Sequence, residues 1–300
     1  VRLDQLSYAN ENHPPLKRWI IRTVEGLSGR DSYRQLYDVW RRDIVPQGDR
    51  VFSRMLELIN IRLDIQTEWP PRDTPNSPLV IIANHPYGIG DGIAVLAMAE
   101  ALGRPFRVLI NNELMKVPEI APYALPISFE ETRDALLMNM KTRHEAVRLL
   151  KQGVTVVVFP AGGVATAPRG FGRAVDLPWK MFPARLVQAA RASVIPVYFT
   201  GQNGRLFHLA SRVSMTLRTS LLVREFQRLS GSVMVARAGA PLDADRLSEF
   251  SDRKELLAVL HKAVFDLGTP SGRPRRKLRH RYFKKTSTSE LRPATTVNSR

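Results

Sequence analysis

His85 and Asp91 stand six residues apart in Asn84-His85-Pro86-Tyr87-Gly88-Ile89-Gly90-Asp91-Gly92, directly after the apolar run Leu79–Ala83. A neutral imidazole can take a proton from a hydroxyl. A carboxylate behind it fixes the tautomer and stabilises the imidazolium that forms. No Ser or Cys nucleophile occupies the elbow of a G-x-S-x-G motif here, so His85 is expected to act directly on a substrate hydroxyl or amine, in acyl or phosphoryl transfer. Two other readings fit the same residues. In one, His85 merely bonds the turn and Asp91 caps the following helix. In the other, Gly88-Ile89-Gly90-Asp91-Gly92 is a dinucleotide loop, with Glu113 as the ribose-binding acid. Against the second, position 93 is Ile rather than Gly, and the Asp91 carboxylate would repel a pyrophosphate at the helix N-terminus.

A second turn has similar character. Val154-Thr155-Val156-Val157-Val158-Phe159 leads into Pro160-Ala161-Gly162-Gly163-Val164-Ala165-Thr166. Backbone N–H groups in such a turn can bind an anion, and Arg169 and Arg173 follow closely enough to add charge-assisted bonds. The plain alternative is a glycine turn with no ligand.

Both turns need strands to deliver them. Short Val- and Ile-rich runs at 79–83, 106–110, 154–159, 194–199 and 232–236 are bounded by Gly, Pro or Asn and predict strands. Helical patterns fall near 92–102, 130–151 and 183–191. The alternation predicts an α/β fold: a central, mostly parallel sheet flanked by helices. Ahead of it, apolar residues recur at helical spacing near Leu16–Leu27, around Tyr33–Arg42 and near Val51–Leu63. These predict an N-terminal helical cap over residues 1–68. Four prolines between Trp69 and Pro78 mark a linker into an α/β domain at 69–268. Residues 269–300 read as a basic disordered tail, with Arg275, Arg276, Lys277, Arg279, Arg281 and Lys284 clustered around Tyr282 and Phe283.

The 300 residues carry a formal charge of +17, which favours anionic partners: lipid headgroups, an acidic carrier protein or nucleic acid. Helix-turn-helix, zinc-finger and RNA-binding aromatic signatures are absent, which speaks against nucleic acid. There is no cysteine, hence no disulfide, thiolate metal site or thiol nucleophile. The His, Asp and Glu spacings suggest no metal site, and His144, His208 and His261 read as structural. No run of eighteen apolar residues predicts a spanning helix, and no signal-peptide pattern is seen at the start. The segment Leu16–Leu27, with Trp19 and Ile20 opposite Lys17, Arg18 and Arg22, suits either a bilayer surface or the core.

Taken together, the two turns resemble those of the glycerolipid acyltransferases, which include the 1-acylglycerol-3-phosphate acyltransferases. That family carries N-H-x4-D after its first core strand and F-P-E-G-T after a later one. Here Asn84-His85…Asp91 and Phe159-Pro160-Ala161-Gly162-Gly163 come in the same order. Asn112-Glu113-Leu114-Met115-Lys116-Val117-Pro118 resembles a second block. Pro126-Ile127-Ser128-Phe129, with Arg133 beyond, resembles a third, and Val194–Phe199 a fourth. The likeness covers residues 75–215. The H-x5-D spacing is one residue longer than usual and resembles a bacterial, haemolysin-like branch. Ala161 stands where the family has Glu, which touches the identity of the acceptor.

The resemblance implies His85 as general base and Asp91 as its orienting carboxylate. It implies Asn84, Gly88, Lys116, Arg133, Gly162, Gly163 and Arg169 as substrate-binding residues. It also implies a lysolipid acceptor, with acyl-CoA or acyl carrier protein as co-substrate and no cofactor. 1-Acylglycerol-3-phosphate is the first acceptor expected, and a lyso-aminolipid such as lyso-ornithine lipid is the alternative. The expected location is cytoplasmic, peripheral on an anionic membrane surface at the inner face. A non-catalytic basic protein binding nucleic acid or lipid is the alternative of another class.

Overall fold

The run Leu79-Val80-Ile81-Ile82-Ala83 is apolar at every position because the strand it forms is covered on both faces. Leu79, Ile81 and Ala83 point into one core layer, Val80 and Ile82 into the other, as the two-residue period of a strand requires. The computed structural model describes residues 30–76 and 78–269. The helix expected near Leu16–Leu27 and the basic stretch beyond Arg273 lie outside the described residues.

In chain order the main elements are α1 (Arg30–Val39), α2 (Val51–Leu58), β1 (Arg62–Ile65), β2 (Leu79–Ala83), α3 (Ile89–Glu100) and β3 (Phe106–Asn111). There follow β4 (Ala124–Ile127), α4 (Arg133–Lys151), β5 (Thr155–Val158), α5 (Phe182–Ala190), β6 (Ser193–Thr200) and α6 (Arg205–Val213). The chain continues through α7 (Met215–Arg228), β7 (Val233–Ala238), α8 (Ala244–Ser248) and α9 (Arg253–Asp266). The seven strands lie in the order β1-β7-β6-β2-β5-β3-β4. Every neighbouring pair is parallel except β6 with β7. One face packs on α2, α3 and α7, the other on α4, α5 and α9. The fold is therefore the expected α/β type, a mostly parallel sheet between helical layers. No helix among the described residues is long and apolar enough to cross a membrane.

The N-terminal cap differs from expectation. The helix near Val51–Leu63 stops at Leu58. Asn60 then takes a left-handed turn (φ 56), and Arg62–Ile65 becomes an edge strand in register with Val233–Ala236. Its alternation puts Leu63 and Ile65 inward and the charged Arg62 and Asp64 outward. Trp40, Phe52 and Leu56 share the core of the sheet, and each such burial contributes about 1.5–3 kcal/mol. The Glu100 carboxylate, from the end of α3, accepts from the N–H groups of Phe52 and Ser53 (both 2.9 Å) and so caps α2. The described part of 1–68 is thus continuous with the sheet. β4 was also unexpected, since Pro126 breaks its apolar pattern.

Because β6, β2, β5, β3 and β4 run parallel, their carboxyl ends meet along one rim. That rim is where open α/β sheets build sites, and His85 lies on it.

Candidate active site

Asn84, the first residue past β2, ties the strand end to β6. Its amide Nδ2 donates to the Phe199 carbonyl (2.9 Å), and its Oδ1 accepts from the Phe199 N–H (2.7 Å). Asn84 is buried, and both ends of its amide are engaged. It is one of the expected substrate-binding residues, and its side-chain amide is engaged with the Phe199 backbone.

His85 follows, and the loop after β5 grips its backbone from two directions. Its carbonyl accepts from the Ala165 N–H (2.7 Å), and its N–H donates to Asp176 Oδ1 (3.3 Å). The ring stacks on Phe159, with centroids 4.1 Å apart and planes at 28°. Its Nδ1 lies 3.0 Å from Asp91 Oδ1; the His85 side chain is 16% exposed and that of Asp91 fully buried. In this resting geometry the ring N–H axis does not run along the line to that oxygen. Such contacts commonly tighten only when substrate binds. The other oxygen, Asp91 Oδ2, accepts from the Tyr87 N–H (2.8 Å), which fixes the carboxylate. Asp91 sits in the first turn of α3, where the helix dipole favours a negative charge.

Gly88 makes the turn possible. Its φ is +87°, and an added Cβ would meet Leu222 Cδ2 and Val164 Cγ2 at 3.0 Å. Its backbone conformation and its packing against Leu222 and Val164 account for glycine at this position.

Asp176 escaped the sequence reading. It accepts from His85 N–H and from Trp179 Nε1 (3.1 Å), and burial pushes its carboxyl above the usual range. One signal was available: it is the lone Asp or Glu between Glu145 and Glu225.

At the second turn, Gly162 has φ +66°, and an added Cβ would fall 2.7 Å from Phe129 Cε1. Its N–H donates to the Phe159 carbonyl (3.0 Å) and is not available to an anion. The N–H groups of Gly163 and Val164 have no acceptor among the described residues. Behind them lies a buried cation that sequence reasoning also missed. Arg218 is 8% exposed, donates to the Val164 carbonyl and lies over the Phe207 ring (5.6 Å). Its positive field favours negative charge at the turn.

The remaining expected residues are spread along the rim. Lys116 follows β3 and pairs with Glu113 (2.5 Å), both side chains more than half exposed. Arg133 opens α4, exposed, after the loop that follows β4. Arg169 is exposed on the hairpin beyond the second turn, its carbonyl accepting from Arg212 Nη1 (3.2 Å). No hydrogen bond or ion pair joins these three cations to His85 or Asp91 among the described residues.

A strand-delivered His–Asp pair and a glycine turn thus lie on one rim of the sheet. The family model described as Acyltransferase matches residues 17–265, so the chain belongs to that family. It is similar to the bifunctional protein GlmU of Rhodococcus jostii (strain RHA1), with 29% identity over 175 residues. That match covers 53% of this chain and only 34% of that protein's length. Among solved structures it is similar to the 1-acyl-sn-glycerophosphate (LPA) acyltransferase PlsC from Thermotoga maritima. Identity there is 18% and the TM-score 0.45, over 89% of this chain and 92% of that one.

Proposed function

We propose that this acyltransferase moves a fatty acyl group from an acyl thioester, acyl-CoA or acyl carrier protein, to the hydroxyl of a lysolipid. 1-Acylglycerol-3-phosphate is the first acceptor to test, in phospholipid synthesis at the anionic inner face of a membrane. The observation that carries the chemistry is His85 Nδ1 at 3.0 Å from the buried Asp91 carboxylate. Once the ring turns so that its Nδ1 proton points at Asp91, Nε2 takes the proton of the acceptor hydroxyl. The oxygen attacks the thioester carbonyl and a tetrahedral oxyanion forms. N–H groups of Gly163 and Val164 are the candidate donors to that oxyanion. The intermediate then expels the thiolate, which takes the proton back from the imidazolium. The products are an ester and a free thiol.

A second acceptor is favoured by one observation. Ala161 is 2% exposed and has no polar group to offer, so this position does not hold a headgroup, and a lyso-aminolipid is the second acceptor to test. The test is a panel of lysolipids with one acyl thioester and the purified full chain. Ester product with lysophosphatidate or lyso-ornithine lipid is expected. A chain that acylates only amines or water-soluble alcohols would overturn the lipid acceptor.

A further inference from the structure

The loop after β5 and helix α6 pack together as one unit. Its hairpin closes through the Thr166–Val175 bridge. Near its tip run Gly170-Phe171-Gly172, both glycines left-handed (φ 79 and 91), so that Phe171 projects 64% exposed. The tip rests on α6. An added Cβ at Gly170 would come within 2.9 Å of Leu209 Cδ2, and Arg212 bonds the Arg169 carbonyl. Helix α6 is apolar on both sides. Phe207, His208 and Ala210 are buried, while Leu206 (47%), Leu209 (49%) and Val213 (79%) are exposed. Spacings of three and four place these three in one stripe along the helix. An exposed contiguous apolar surface of this kind marks an interaction site.

Charge says what covers it. From Pro160 to Arg224 the chain carries nine Lys and Arg and one acid, Asp176, and that acid is engaged with His85 and Trp179. Arg169, Arg173, Arg205 and Arg212 are exposed on the hairpin and α6, flanking the stripe. We propose that the hairpin and the outer face of α6 are the surface by which this enzyme docks on an anionic lipid bilayer. Phe171, Leu206, Leu209 and Val213 enter the acyl boundary, and the arginines meet headgroup phosphates. A projecting tip suits a bilayer, which yields to a wedge; a helical protein partner needs a groove to receive it. The same hairpin bonds the His85 backbone at its base, through Ala165 and Asp176. Docking here therefore brings the headgroup layer to the catalytic rim. The choice of a lipid partner rests on the lysolipid reading above, yet docking is measurable without turnover.

The chain has no cysteine, so Phe171→Cys and Val213→Cys in the full chain each give one site for an environment-sensitive fluorophore. Lys262→Cys, exposed on α9 on the opposite helical layer, is the control. Vesicles of phosphatidylglycerol and phosphatidylcholine should shift both probes to the blue and expose them to quenching by brominated acyl chains. The control should stay in water. Combining Leu206→Asn, Leu209→Asn and Val213→Asn, all at exposed positions, should weaken vesicle partitioning of the Phe171→Cys chain by about tenfold. A chain that sediments with vesicles while both probes stay wet adheres by another segment, which overturns the proposal. A response of the probes to an acidic carrier protein but not to vesicles makes this a protein-docking face and overturns it equally. Docking by this face without lysolipid acylation retires the acceptor and keeps the surface; lysolipid acylation on vesicles with dry-side probes silent does the reverse.

Discussion

Replacing Asp91 by Asn exchanges one oxygen of a buried carboxylate for an NH2 group and leaves its size unchanged. The Tyr87 N–H, 2.8 Å from Oδ2, is a donor and must keep an oxygen opposite it. The new NH2 group therefore faces His85 Nδ1 in place of the oxygen now 3.0 Å away. Nδ1 must then accept, the ring proton moves to Nε2, and the nitrogen facing the acceptor has no lone pair to take a proton. The wrong tautomer in a His–Asp device lowers turnover by about 10³–10⁴, equivalent to roughly 4–5.5 kcal/mol in the barrier. Stability should change far less, because the bond to Tyr87 survives. Loss of a carboxylate from the first turn of α3 costs about 0.3–1 kcal/mol. The assay is release of free thiol from the acyl thioester, read with a thiol reagent; the cysteine-free chain gives no background. Turnover of Asp91→Asn within tenfold of the parent would refute the tautomer argument and leave Asp91 as a helix-turn cap.

Two further outcomes follow from the same geometry. Asn84→Ala removes both bonds to Phe199 and should lower unfolding free energy by about 2–4 kcal/mol, because two buried backbone groups lose their partners; denaturant unfolding measures it. Burial holds the His208 imidazole below its ordinary value, so the ring is neutral in the fold. The unfolded chain binds a proton near pH ~6.5, so the stability contributed by the neutral ring is lost as pH falls from there toward the folded value. His208→Asn, which keeps an acceptor for the Ala167 N–H, should flatten that slope in thermal melts across this range.

The parts of the molecule that sequence made legible are those whose pattern is local. β2, β3, β5 and β6 are dense in Val and Ile because both sheet faces are covered there, and glycine and proline end them sharply. The His85–Asp91 pair was legible because one turn holds both. β1 was hidden because Arg62-Leu63-Asp64-Ile65 continues the apolar spacing of α2; only pairing with β7, far along the chain, turns it into a strand. Asp176 touches His85 across ninety-one residues, and no local pattern announces such a contact. Asn84 and Gly88 stand at family-motif positions, and the groups they pack against, Phe199, Leu222 and Val164, come from across the fold. The exposed stripe on α6 looks in sequence like any amphipathic helix, since Phe207 and Leu206 are equally apolar and only the packing decides which is covered.

If the His85 imidazole removes the acceptor proton, as proposed, His85→Ala must abolish transfer. Purified wild-type and variant full chains, matched by thermal unfolding, are given an acyl thioester and a lysolipid, and the ester product is quantified. Product formation should fall about 10³-fold with the unfolding transition unchanged. A variant that folds normally and forms ester within tenfold of wild type would contradict it.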